Sequence, residues 1–93
     1  MIQSFKCKET RKIWDRIFSG KFPPEIQTRA RRKLIALDIS ESLNDLKNPP
    51  SNYLELLHGD RQGQHRIRIN NQWRVCFVWK NSSAHHVEIV DYH

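Results

Sequence analysis

Up to Leu37 the apolar positions recur at helical spacing, and from Tyr53 onward they alternate. Ile13, Trp14, Ile17 and Phe18 fall at i, i+1, i+4 and i+5. This predicts a helix over residues 8–18 with one face buried, stopped by Ser19-Gly20. Pro23-Pro24 suits the start of a second helix, because a proline in the first turn gives up no N–H that the helix needs. Ile26, Ala30, Leu34 and Leu37 carry its apolar stripe, with Arg29, Arg32 and Lys33 off it. Residues 2–5 predict a short first strand. Leu43 and Leu46 anchor a short turn, and residues 47–52, Lys-Asn-Pro-Pro-Ser-Asn, read as loop. Residues 53–57, 64–70, 73–79 and 84–90 then predict strands of period two. Gly59-Asp60 marks a turn, Asn70-Asn71 suits the positive φ of a tight hairpin, and residues 80–83 make a further polar turn.

Helices first and strands afterwards is the order of an α+β fold, with two N-terminal helices packed on one face of a small antiparallel sheet. In that arrangement Ile67, Ile69, Val75, Phe77, Val87 and Ile89 face the helices, and Arg66, Arg68 and Arg74 face away. Trp14, Trp73 and Trp79 lie in phase with the core. With 93 residues and no repeat or low-complexity tract, the expectation is a single domain over 1–93. Any site must sit on the surface of its one modest core.

The charge is uneven. Residues 1–37 hold ten basic and three acidic side chains, a net of +7, whereas residues 38–93 hold six and seven, a net of −1. A basic half is an electrostatic footprint for a polyanion or an acidic partner, or a solvated helix surface. Cys7 and Cys76 show no framework spacing, so reduced, inert thiols are expected. Met1 to Phe5 is followed at once by charge, and no apolar run approaches the roughly 20 residues of a membrane span. The expectation is a cytoplasmic protein with no membrane contact.

Asp91-Tyr92-His93 sets a carboxylate, a phenol and an imidazole directly after a strand pattern that would hold them against the sheet. In a basic domain, a trio able to move protons points to chemistry on a phosphate backbone. A metal site is not expected: His85 and His86 project to opposite faces of a strand, and no zinc-type spacing of Cys and His occurs. No phosphate-cradling glycine loop is present, and no cofactor is expected.

Four segments carry a family resemblance: Leu57-His58-Gly59-Asp60-Arg61, residues 64–70 (Gln-His-Arg-Ile-Arg-Ile-Asn), residues 72–77 (Gln-Trp-Arg-Val-Cys-Phe) and residues 87–93 (Val-Glu-Ile-Val-Asp-Tyr-His). In this order and spacing they resemble HigB-type toxins of the RelE/ParE superfamily of toxin–antitoxin systems. The resemblance implies an endoribonuclease toxin that works in the ribosomal A site and cuts mRNA there, meeting ribosomal RNA on the way. It also implies a cognate helix-turn-helix antitoxin (HigA-like), with DNA bound only indirectly through the complex. One departure stands out. Some relatives carry a catalytic histidine before the Gly-Asp-Arg turn; Glu55 lies nearest that position here, and His58 follows three residues later.

Metal-independent RNA cleavage uses the RNA's own 2′-OH, so the site must take that proton, balance charge on the phosphate and protonate the leaving oxygen. His93 is the preferred acid–base group, because imidazole titrates near neutral pH; the alternative is a loose terminal side chain. Asp91 either orients an imidazole or is a solvated charge. Tyr92 either meets phosphate and base or caps the edge of the core. Arg68 and Arg74 are the expected phosphate clamps, unless Glu88 neutralises them across strands, and Arg66 shares their face. Arg61 is expected to brace its turn through Asp60. His58 is either a displaced catalytic imidazole or a phosphate contact. Arg29 to Lys33 are expected to meet ribosomal RNA or the antitoxin. Two rival functions remain: a ParE-like inhibitor of DNA gyrase, and a non-catalytic RNA-binding module.

Overall fold

Two helices cover one face of a four-stranded antiparallel sheet in the computed structural model, which describes residues 1–92. The first helix, α1, spans Lys8–Trp14, shorter than its apolar spacing predicts. Arg16 takes a left-handed conformation, φ 63°, and the amide of Ile17 donates back to the Lys12 carbonyl at 2.8 Å. The chain therefore turns away before Ile17 and Phe18 reach the core face. Both are exposed, contrary to expectation, while Ile13 is buried. The second helix, α2, runs Pro24–Ile39 and buries Ile26, Ala30, Leu34 and Leu37, as their spacing predicts.

The strands are β1 (Glu55–Leu56), β2 (His65–Arg68), β3 (Trp73–Lys80) and β4 (Ser83–Asp91), in that order across the sheet. Asn81 and Ser82, both at positive φ, form the tight turn between β3 and β4. The turn between β2 and β3 differs from expectation. Neither Asn70 nor Asn71 is left-handed; instead Asn70 Oδ1 accepts the amides of Gln72 and Trp73, each at 2.8 Å. That local bond supplies the reversal a positive φ would otherwise provide.

Between Cys76 and Val78 the β3–β4 register shifts, and His86 on β4 sits at φ 52°. This bulge changes the phase of β4, so that Ala84 and Val87 both reach the core although three positions separate them. It also frees backbone for the N-terminal segment. Ile2 and Phe5 form isolated parallel bridges to Ala84 and Val87, in place of a full first strand, and the His86 amide donates to Ser4 Oγ at 2.9 Å.

The core lies between the helices and this sheet. Ile13, Phe22, Ile26, Ala30, Leu34 and Leu37 meet Ile67, Ile69, Trp73, Val75, Phe77, Ala84, Val87 and Ile89. Trp14 and Trp79 pack against it half-buried. His65 lies on the same face of β2 as Ile67, stacks on Phe77 with centroids 6.0 Å apart, and is held below the ordinary imidazole pKa by burial. Two buried polar side chains tie the layers together. Thr10 Oγ1 on α1 accepts the Ile89 amide at 2.9 Å. Asn52 donates to the carbonyls of Leu46 and Asn48 and accepts from Lys33 Nζ at 2.5 Å. Lys33 thus serves the fold, where the sequence suggested a partner contact. Cys76 is buried, which pushes its thiol up. For Cys7 burial also acts upward, but the Thr10 and Glu9 amides outweigh it and its thiol is lowered.

Candidate nucleic-acid interface

The face of the sheet turned away from the helices carries two transverse rows of side chains. Glu55 stands opposite Arg66, Arg66 opposite Cys76, and Cys76 opposite Glu88. One step further along, Arg68 stands opposite Arg74, and Arg74 opposite Val90. Strand alternation alone puts Arg66, Arg68 and Arg74 on one side, so three guanidinium groups gather over a few ångströms of backbone.

Their counter-charges are few. Arg66 Nη2 reaches Glu55 Oε2 at 2.6 Å. Neither Arg68 nor Arg74 makes an ion pair among the described residues, and Arg68 Nε is buried with no hydrogen-bond partner. Glu88, which might have neutralised them, is taken by Arg61 at 2.7 Å and Lys6 at 3.7 Å. Arg61 therefore braces its turn to β4 rather than to Asp60. The bonds that Arg74 does make are to the Asn70 and Trp73 carbonyls, which fix its direction without cancelling its charge. Burial, and then the neighbouring Arg68 and Arg66, push Arg74 below the usual arginine value. Burial also acts to lower Arg66, but its bonds to Tyr92 and Glu55 outweigh this and leave it raised. Three guanidinium groups on one face, of which only Arg66 is ion-paired among the described residues, make a surface suited to an anion.

Two tyrosines border the cluster. The Tyr92 ring lies under Arg66, 4.5 Å from guanidinium carbon to centroid, and 6.0 Å from Arg74. The Tyr53 ring lies 4.5 Å from Arg68 and is 59 % exposed. Tyr92 thus sits on the arginine face and does not cap the core. Its amide donates to the Gln72 carbonyl at 2.5 Å, and Gln72 Nε2 donates to Asp91 Oδ2 at 3.2 Å, so the end of β4 is held against the start of β3.

The structure therefore brings together Arg66, Arg68, Arg74 and Tyr92, while Asp91, opposite Trp73 and in phase with Ile89, falls on the helix side of β4. His93 lies outside the described residues. His58 caps the start of the Gly59–Arg61 turn, exposed and with no side-chain hydrogen bond among the described residues. Glu55, not His58, joins the arginines. Sequence reasoning did not place Tyr53 beside the arginines. Its placement depends on φ 47° at its own backbone and on the buried Asn52 just before it. An asparagine ending a Pro-Pro-Ser-Asn loop was the available signal, but its partners lie at Lys33, Leu46 and Asn48. Among the described residues no group of three or more His, Cys, Asp or Glu side chains is placed to hold a metal ion, and no helix is long and apolar enough to cross a membrane.

Residues 3–93 match a family described as HigB-like toxins, RelE-like toxins of type II toxin–antitoxin systems. A Proteus vulgaris protein named Endoribonuclease HigB is 30% identical over 93 residues, 100% of both chains. A Vibrio cholerae protein named Toxin HigB-1 is 39% identical over 62 residues, covering 67% of this chain and 65% of that one. Among solved structures, the YoeB–YefM complex from Staphylococcus aureus contains a chain with the same fold: TM-score 0.62 at 16% identity, covering 100% of this chain and 98% of the other.

Proposed function

This chain belongs to the HigB-like family of RelE-like toxins of type II toxin–antitoxin systems, and on that premise we propose that it is a ribosome-dependent endoribonuclease. It cuts mRNA in the A site and so blocks translation. The observation that carries this reading is the cluster of Arg66, Arg68 and Arg74, bordered by Tyr53 and Tyr92, with Glu55 at its edge.

The chemistry follows from what those groups hold. Arg68 and Arg74 bind the scissile phosphate, since a guanidinium fork matches its oxygens and stays charged. Tyr92 against Arg66 and Tyr53 against Arg68 supply flat surfaces for unstacked bases. The Glu55 carboxylate, positioned by Arg66, takes the proton of the 2′-OH. The 2′-oxygen attacks phosphorus, the bond to the 5′-oxygen breaks, and the His93 imidazolium delivers a proton to that leaving oxygen. The products are a 2′,3′-cyclic phosphate and a 5′-hydroxyl. Positive charge comes from the arginines, so the reaction is metal-independent. A surface site this shallow relies on the ribosome to align its substrate, which is worth several orders of magnitude when done well. The toxin's partner is an antitoxin, as the family's name supports.

The test adds the protein to ribosomes programmed with end-labelled mRNA, beside the same mRNA alone, with His93→Gln in parallel. Cutting that needs ribosomes and disappears in the variant is expected. No cutting in any lane would discard the nuclease reading and leave gyrase inhibition and plain RNA binding to be assayed.

A further inference from the structure

The three arginines of the sheet face are held in three different ways. Arg66 is paired with Glu55, and Arg74 donates to the Asn70 and Trp73 carbonyls. The Arg68 side chain makes no hydrogen bond among the described residues, and its buried Nε is left without a partner. Its guanidinium lies against the Tyr53 ring, 4.5 Å from the centroid. An aromatic face attracts a cation, but it gives that cation a direction only if the ring itself is fixed.

Little of that fixing comes from Tyr53. Its side chain is exposed, so the core does not grip it. Its backbone is left-handed, at φ 47° and ψ 55°, a conformation that a bulky residue keeps only where its surroundings impose it. What imposes it lies one residue back. Asn52 is 1% exposed, and its side-chain amide donates to the Leu46 carbonyl at 3.1 Å and the Asn48 carbonyl at 3.3 Å. The Oδ1 of the same amide accepts from Lys33 Nζ at 2.5 Å, its one donor among the described residues. Lys33 belongs to α2, 19 residues away, and makes no ion pair and no other hydrogen bond with its side chain among the described residues. A half turn of the Asn52 amide would exchange its oxygen and nitrogen. Two carbonyls on one side and an ammonium on the other allow only one of the two orientations.

We propose that Lys33 is a positioning residue for the RNA face: by holding Asn52 it sets the left-handed turn at Tyr53, and through the Tyr53 ring the direction of Arg68. The consequence for RNA rests on the reading above, whereas the hold of Lys33 on Tyr53 does not. The helix layer thereby reaches the far face of the sheet, through the loop that leads into the edge strand β1.

The test uses the full chain with its tyrosine rings labelled with carbon-13. The chain has two tyrosines, so Tyr53→Phe assigns both sets of ring signals. In Lys33→Met, which keeps most of the side chain and removes the donor, the Tyr53 signals should move while those of Tyr92 stay and report an intact sheet. Lys33→Gln, a donor one atom shorter, is the second variant should Lys33→Met not fold, and the same displacement is expected of it. Lys33→Arg keeps a long cationic donor and should restore the Tyr53 signals. On programmed ribosomes Lys33→Met should raise KM several-fold with a smaller change in kcat, as loss of the ring does. The two effects should not add. In a Tyr53→Ala background Lys33→Met should change KM by no more than about twofold, because the side chain it positions is gone. A lysine that only braces the loop would lower thermal stability and leave KM and the Tyr53 signals unchanged, which would overturn the proposal. So would a KM effect of the same size with and without Tyr53. The ring signals are read without RNA. A wild type that never cuts would sink the nuclease reading, and those signals would still decide, for or against, the hold of Lys33 on Tyr53.

Discussion

Arg61 Nη1 and Glu88 Oε1 are 2.7 Å apart, joining the turn after β1 to the middle of β4 across 27 residues of sequence. The bond withdraws the one carboxylate on β4 that faces the arginine rows, so that Arg68 and Arg74 keep their charge for a ligand. It also leaves Glu88 dependent on its partner, because a half-buried carboxylate without one is costly.

Arg61→Ala is expected to lower unfolding stability by about 1–3 kcal/mol, since Lys6 at 3.7 Å compensates only weakly. Denaturant unfolding measures this. Because the freed Glu88 carboxylate then lies near the arginine rows, RNA affinity should fall as well, and Arg61→Ala/Glu88→Gln should recover part of that affinity but not the full stability.

Arg68→Ala and Arg74→Ala should each reduce cutting on programmed ribosomes by about 10²-fold, the usual cost of removing one positioned donor. Arg68→Lys should recover little, because a lysine lacks the planar fork. Wild-type rates in either alanine variant would remove the phosphate clamp from the proposed mechanism.

Loss of either ring should act on substrate binding more than on chemistry. Base stacking on an aromatic is worth about 1–3 kcal/mol, so Tyr53→Ala should raise KM for ribosome-bound mRNA several-fold or more with a smaller effect on kcat. Tyr53→Phe should behave as wild type. A purely structural Tyr53 would instead show up as lost thermal stability with cutting unchanged.

A single 2′-O-methyl group on the cleaved nucleotide should abolish cutting there, and the downstream product should carry a 5′-hydroxyl that a polynucleotide kinase labels directly. Glu55→Gln should slow the reaction by about 10²–10⁴-fold, the range of one acid–base group. Efficient cutting of the methylated RNA would rule out attack by the 2′-oxygen.

Stability should also fall in mild acid. Burial holds His65 below its ordinary pKa of 6.5, so the unfolded chain binds the proton more readily than the folded one. The contribution of a neutral His65 is complete above about pH 6.5 and is lost as pH falls through the lower folded value. Urea midpoints at pH 7.5 and 5.5 should differ less in His65→Leu than in wild type.

Much of this was legible in the chain. The switch of period between Leu37 and Tyr53 predicted helices before strands, and alternation predicted the face that Arg66, Arg68 and Arg74 share. Local signals failed where a distant bond decides. Arg16 ends α1 in a left-handed turn with no glycine to announce it, which put Ile17 and Phe18 on the surface instead of in the core. Tyr53 is set by Asn52, whose partners come from α2 and the loop after it. The phase change in β4 comes from the bulge at His86, which pattern reading smoothed over because Val87 and Ile89 alternate correctly on their own. Arg61 has Asp60 beside it in sequence and takes Glu88 in space.

The parallel bridges of Ile2 and Phe5 to Ala84 and Val87 give β4 a neighbour on each side, one from each end of the sequence. The strand that leads to Tyr92 is therefore clasped by segments far apart in sequence, and loosening residues 2–5 would loosen one edge of the arginine face.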